Sequence, residues 1–171
     1  MSQLKKGLRA MMLACLLGGS LVAPAIHAQT YLAEVTHVHD GDSLWVRPLE
    51  GGRRQRLRLD GIDAPEICQA GGLASRDRLA GMTLGHQVRV EVRGQDRYRR
   101  TLARVWLGQE DVQVRLVREG LAWSYRVRDR AGRYDREEAM ARRQGLGVFA
   151  DDRAEAPRDF RRRHGPCART D

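Results

Sequence analysis

In the stretch from Arg56 to Glu66 a basic strand carrying Arg58 runs through an Asp60-Gly61 turn to two further acids, Asp63 and Glu66. Carboxylates fixed at a strand end can bind a cation or move a proton. Two further charged pieces lie elsewhere, Asp40-Gly41-Asp42 and Asp96-Arg97-Tyr98-Arg99-Arg100. Alone, each piece has a plain explanation: Asp-Gly-Asp is a solvated hairpin turn, Arg58 a surface strand residue, and Arg99-Arg100 mere surface charge. Together they suit one chemistry. Arginines beside both acids would keep them ionised, which fits a neutral-sugar hydrolase poorly. A phosphodiester fits well. A hard cation held by Asp42 and Asp63 polarises a phosphoryl oxygen, Glu66 takes a proton from water, and Arg58 and Arg100 stabilise the added charge. His37 and His39 have the spacing of a transition-metal pair. The acids favour a hard cation, so the histidines read as solvated edge residues.

Positioning these groups requires strands that end where the charges lie. Tyr31 to Val38 and Ser43 to Arg47 read as strands flanking the first acidic turn, and Pro48 to Gly52 as a hairpin loop into a third strand. In that third strand Leu57, Leu59 and Ile62 face the core while Arg56, Arg58 and Asp60 face outward, and Pro65 stops it. Leu73 to Leu84 reads as an amphipathic helix with Leu73, Ala80 and Leu84 inward and Gly85 at its end. Val88 to Val92 and Thr101 to Leu107 give strands four and five, joined by an arginine-rich loop over 93–100. Val112 to Glu119 and Tyr134 to Gln144 complete three helices, and Leu146, Val148 and Phe149 pack back on the core. This order predicts an α+β fold, a five-stranded OB-type barrel with three helices. The segment 151–171, with Pro157, Arg161-Arg162-Arg163 and Gly165-Pro166, reads as a basic tail with little regular structure, equally a solvated end or a nucleic-acid clamp.

At 171 residues and 42% hydrophobic content the chain suggests one domain, over 29–150, with a real core. Lys5, Lys6 and Arg9 precede an apolar run from Ala10 to Val22, followed by Ala23, Ala25 and Ala28, the layout of a secretory signal peptide over 1–28. An uncleaved anchor and lipidation at Cys15 are the alternatives. The apolar run is short for a membrane span, and no other candidate follows. The expected location is periplasmic or secreted, and the expected state a monomer. Cleavage lowers the net charge from +9 to +6, with 28 basic side chains, all arginine, against 22 acidic. Such an excess draws polyanions, whether nucleic acid, anionic lipid or polysaccharide. Cys68 and Cys167 remain as an even pair in an oxidising compartment: either a disulfide tying the tail beside Asp63 and Glu66, or two free thiols.

Taken in order, Asp40-Gly41-Asp42-Ser43, the run from Arg58 to Glu66, Asp96 to Arg100, Leu116 to Ala122 and Gly145 to Phe149 resemble the staphylococcal nuclease (thermonuclease) family. The resemblance covers roughly Val35 to Phe149. It implies an OB-fold barrel and calcium-dependent cleavage of DNA and RNA that leaves 3′-phosphate and 5′-hydroxyl ends. By motif position it makes Asp42, Asp63 and the main-chain carbonyl of Ala64 the Ca2+ ligands, Glu66 the general base, and Arg58 and Arg100 the catalytic arginines. Arg97 and Tyr98 match positions near the terminal phosphate of the nucleotide, and Tyr125 one beside the base. Arg99 stands at a glycine position of the family pattern, directly before Arg100. The alternatives are a nucleic-acid-binding OB module without catalysis, and an exported protein whose positive face binds anionic polymers. The filled set of charged positions favours the enzyme.

Overall fold

The computed structural model describes residues 29–127, 130–165 and 167, so the leader expected over 1–28 lies outside the described residues. Alternating apolar positions in the first half produce three antiparallel strands, β1 (Thr30–Asp40), β2 (Ser43–Pro48) and β3 (Gln55–Leu59). β5 (Gln87–Gln95) pairs antiparallel with β1, and β6 (Thr101–Leu107) with β5. A parallel pairing of β3 with β6 then closes the barrel. Its inside is filled by Leu57 and Leu59, as expected, and by Val35, Leu44, Val46, Val90 and Val105 from the other strands, all fully buried. β7 (Glu110–Asp111) folds back antiparallel on the end of β6, while the two-residue β4 (Ile62–Asp63) pairs with β8 (Trp123–Ser124) outside the barrel.

Among the described residues four α-helices surround the sheet, one more than the sequence pattern suggests: α1 (Gly72–Thr83), α2 (Val112–Arg118), α3 (Asp135–Arg143) and α4 (Pro157–His164). α1 corrects an expectation. Leu73 and Leu84 are exposed, and the buried face is Gly72, Ser75, Leu79 and Thr83. The reason is close approach: a Cβ on Gly72 would overlap the Glu66 carbonyl, and Ser75 lies against Gly41. A helix lying that close needs small residues on its inner face. Leu146 is likewise more exposed than expected, whereas Phe149 is buried edge-on against Trp123, with ring centroids 5.2 Å apart. β5 runs on to Gln95, so the arginine-rich connection shortens to 96–100.

The tail is the second correction. Ala154 and Ala156 pack against the cluster of Trp123, Ala141 and Phe149, and Pro157 starts α4 at a position that needs no N–H partner. The apolar signal was too sparse to be read along the chain, because its three small residues acquire meaning only from the surface they meet.

Candidate active site

Asp42 sits at the β1–β2 turn, where its backbone N–H donates to Asp40 Oδ1 at 3.0 Å. The turn is pressed against α1: a Cβ on Gly41 would overlap Ser75 Oγ and lie 2.7 Å from Ala64 Cβ. Asp42 is therefore only 3% exposed. Its Oδ1 accepts from Ser43 Oγ at 3.1 Å and Arg58 Nη1 at 2.6 Å, and its Oδ2 from the Ala64 N–H at 3.1 Å. Burial pushes the Asp42 carboxyl above its ordinary value, against the pull of Arg58. A carboxylate in this position needs positive charge close by.

Arg58 supplies part of that charge from β3, in register with Ser43. Its Nη2 reaches Asp63 Oδ1 at 2.8 Å, so one guanidinium bridges both acids. Burial works against the Arg58 charge, but attraction to Asp42 and Asp63 prevails and holds the group above its ordinary value. Asp63, 4% exposed, is fixed by the pairing of β4 with β8. β8 is held in turn by buried Glu138 of α3, which accepts the Ser124 N–H at 2.7 Å.

Glu66 follows Pro65 on a turn clipped by Gln69, whose Oε1 accepts the Glu66 N–H at 3.1 Å. Its carboxylate is partly exposed and meets Arg161 of α4. Arg161 Nη1 stands 2.7 Å from Glu66 Oε1, and Nη2 2.9 Å from Asp63 Oδ2. The site is thus a chain of alternating charge, Asp42, Arg58, Asp63, Arg161 and Glu66. Cys68 and Cys167 form a disulfide beside it, with Cα atoms 5.8 Å apart.

The 96–100 loop lies across the same open cleft. Asp96 organises it by accepting the backbone N–H of Tyr98 and of Arg100 and the Arg100 Nε, the last at 2.6 Å. Arg99 takes φ +62°, the one positive φ outside glycine among the described residues. The turn of a glycine is therefore made by an arginine, at some backbone cost. Arg100 arrives at the cleft paired with Asp96, not with the acids across from it. Arg97 lies over the Tyr98 ring at 4.8 Å, and Tyr98 and Tyr125 are both exposed into the cleft. His37 and His39 are exposed along its edge.

Among the described residues no cluster of three or more His, Cys, Asp or Glu side chains is arranged to hold a metal. Asp42, Asp63 and Glu66 stand against only two guanidiniums, those of Arg58 and Arg161, so the two buried carboxylates form an oxygen-only donor set in a cluster one positive charge short. That set fits a hard cation completed by main-chain oxygen and water, and does not fit a transition metal. Three positioning residues escaped sequence reasoning: Gln69, Glu138 and Arg161. For Arg161 there was a signal, since Cys167 six residues on pairs with Cys68 two residues after Glu66.

Residues 56–151 match a family model described as staphylococcal nuclease homologue. A Shigella flexneri protein named micrococcal nuclease is 38% identical over 77% of this chain and 81% of its own length. A Haemophilus influenzae protein named as an uncharacterized endonuclease is 32% identical over 82% of this chain and 79% of its own. Escherichia coli protein ParB is 38% identical over 75% of this chain and 78% of its own. With the barrel, the acidic turn and the arginine-bridged carboxylates all in place, the chain belongs to the staphylococcal nuclease family.

Proposed function

We propose that the protein is an exported, calcium-dependent nuclease that hydrolyses phosphodiester bonds of DNA or RNA. The observation that carries this reading is the Asp42–Arg58–Asp63 bridge, with Glu66 on the next turn. Asp42, Asp63 and the Ala64 carbonyl would hold Ca2+, which supplies Lewis-acid polarisation of a phosphoryl oxygen. Glu66 accepts a proton from the water that attacks phosphorus. Its partial exposure leaves it open to that water. Arg58 and Arg100 donate to the non-bridging oxygens as charge accumulates on them, the planar forks suiting a phosphate in transit. The P–O5′ bond breaks and the departing 5′-oxygen takes a proton from water in the open cleft, leaving a 3′-phosphate and a 5′-hydroxyl.

Arg97, Tyr98 and Tyr125 line the cleft as substrate contacts. Exposed aromatic faces suit unstacked bases, and the arginines suit the backbone. The leader over 1–28 supports export to the periplasm or medium.

Digestion of single-stranded DNA, duplex DNA and RNA by the mature protein, with calcium, magnesium or chelator, tests this. Activity should require calcium and fall by about 10²- to 10⁴-fold in Glu66→Gln, with a comparable loss in Arg100→Ala. Binding without cleavage in the wild type would leave a nucleic-acid-binding barrel in place of an enzyme.

A further inference from the structure

The family pattern ends near Phe149, yet the chain continues and brings a third arginine to the acids. Three attachments place it there. Gln69, which clips the Glu66 turn with one end of its amide, donates from the other to the Glu155 carbonyl at 2.7 Å. The Cys68–Cys167 disulfide joins the same turn to the residues after α4. Ala154 and Ala156 rest on the Trp123–Phe149 cluster. Between these anchors α4 lies along the cleft with Arg158, Arg161 and Arg162 lining it.

Of these arginines, Arg161 stands where a cation ligand set is expected. Its two terminal nitrogens lie 3.2 and 2.9 Å from Asp63 Oδ1 and Oδ2, and one of them also contacts Glu66. Burial works against its charge, but hydrogen bonds to Asp63 and Glu66 outweigh that and hold the guanidinium above its ordinary value. Arg58, by contrast, is fixed within the barrel sheet, whereas Pro157 is the one buried residue of α4. Arg161 can therefore withdraw without opening the core.

We infer that Arg161 is a further residue of the active centre, a counter-ion presented by the disulfide-stapled helix that pairs with Glu66 and competes with the divalent cation for Asp63. The inference rests on the reading of Asp63 as a metal carboxylate and deepens it. A guanidinium and a divalent cation repel each other and use the same carboxylate lone pairs, so binding of one must weaken the other by reciprocal linkage. Arg161 then sets how much calcium the site requires, and keeps Asp63 and Glu66 neutralised until calcium arrives.

The test is calorimetric titration of the mature, oxidised protein with calcium in the absence of nucleic acid, with urea unfolding of each variant to confirm its fold. Arg161→Gln should bind calcium about tenfold more tightly than wild type, and Arg161→Lys, which keeps the charge, should stay near wild type. The Cys68→Ser/Cys167→Ser variant should shift in the direction of Arg161→Gln, and adding Arg161→Gln to it should gain less than in the oxidised parent. Unchanged or weaker binding by Arg161→Gln overturns the inference, as does full additivity of the two changes. Asp63→Asn separates the two levels. If it abolishes binding while Arg161→Gln equals wild type, only the competition fails; if it binds like wild type, the metal reading of Asp63 fails with it.

Discussion

Gly41 shows how narrowly a single residue can be constrained by chemistry that belongs to its neighbour. Its φ is ordinary, so it is not there for backbone freedom. It is there because Ser75 and Ala64 leave no room for a side chain. Gly41→Ala should cost about 1–3 kcal/mol by overpacking, read as a lower urea midpoint, and should reduce nuclease activity because the same shift moves Asp42. Arg99 is the opposite case. There the backbone conformation of a glycine is kept without the glycine, and the Asp96 hydrogen bonds to Tyr98 and Arg100 hold the loop closed. The Arg99 departure therefore leaves the turn intact, and Arg100 reaches the cleft. Both Asp42 and Arg58 were legible in the sequence, since they sit at strand-end spacing. The need for glycine at 41 was not, because its cause is a helix more than thirty residues away.

At the scale of elements, the site is held by polar groups that the barrel buries on its flank. Glu138 links α3 to β8 through the Ser124 N–H and is also paired with Arg142, and β8 in turn holds Asp63. Glu138→Gln removes the charge while keeping the shape, and should cost about 1.5–3 kcal/mol, the range of a hydrogen bond to a charged group. Chemical denaturation measures this, and calcium affinity should fall with it as β4 loosens. Glu119 ties two helices together. It accepts from Arg78 of α1 at 2.6 and 2.8 Å and pairs with Arg115 of α2, and the Arg78 hydrogen bonds bring its carboxyl down to about 2. A carboxyl depressed on folding stabilises the protein above its unfolded value, and that contribution disappears as pH falls through the folded one. Between about pH 4.5 and 2, wild-type stability should therefore drop more steeply than that of Glu119→Gln. At neutral pH the two should differ by no more than about 1 kcal/mol, because solvent reaches the ion pairs. Thermal unfolding across that pH range resolves the slopes.

On the scale of the whole molecule, the barrel and the chain are closed by different contacts. β3 meets β6 in parallel to complete the sheet, and the disulfide joins residue 68 to residue 167, a separation of 99. Such a long loop restricts the unfolded chain strongly, so Cys167→Ser should lower stability by about 2–4 kcal/mol. Urea unfolding of oxidised and variant protein measures the loss, and mass spectrometry of the unreduced wild type should show Cys68 and Cys167 in one linked peptide pair. The chain carries a net charge of +9, and nine of its arginines line the cleft, where a polyanion would be drawn to the acids it must approach.

Local alternation was enough to give β1, β2, β3, β5 and β6, because each strand buries one face of its own and the pattern repeats within five or six residues. The acids at 42, 63 and 66 and the arginines at 58 and 100 were legible for a related reason: each lies where such a pattern stops. What depended on contact between distant segments stayed hidden. The inner face of α1 is small and polar because it meets Gly41 and Glu66, the tail forms α4 because Trp123 and Phe149 await its alanines, and Arg161 reaches Asp63 only from that helix. A sequence carries its own periodicity, but the charge that balances a buried carboxylate is decided by whichever part of the chain folds next to it.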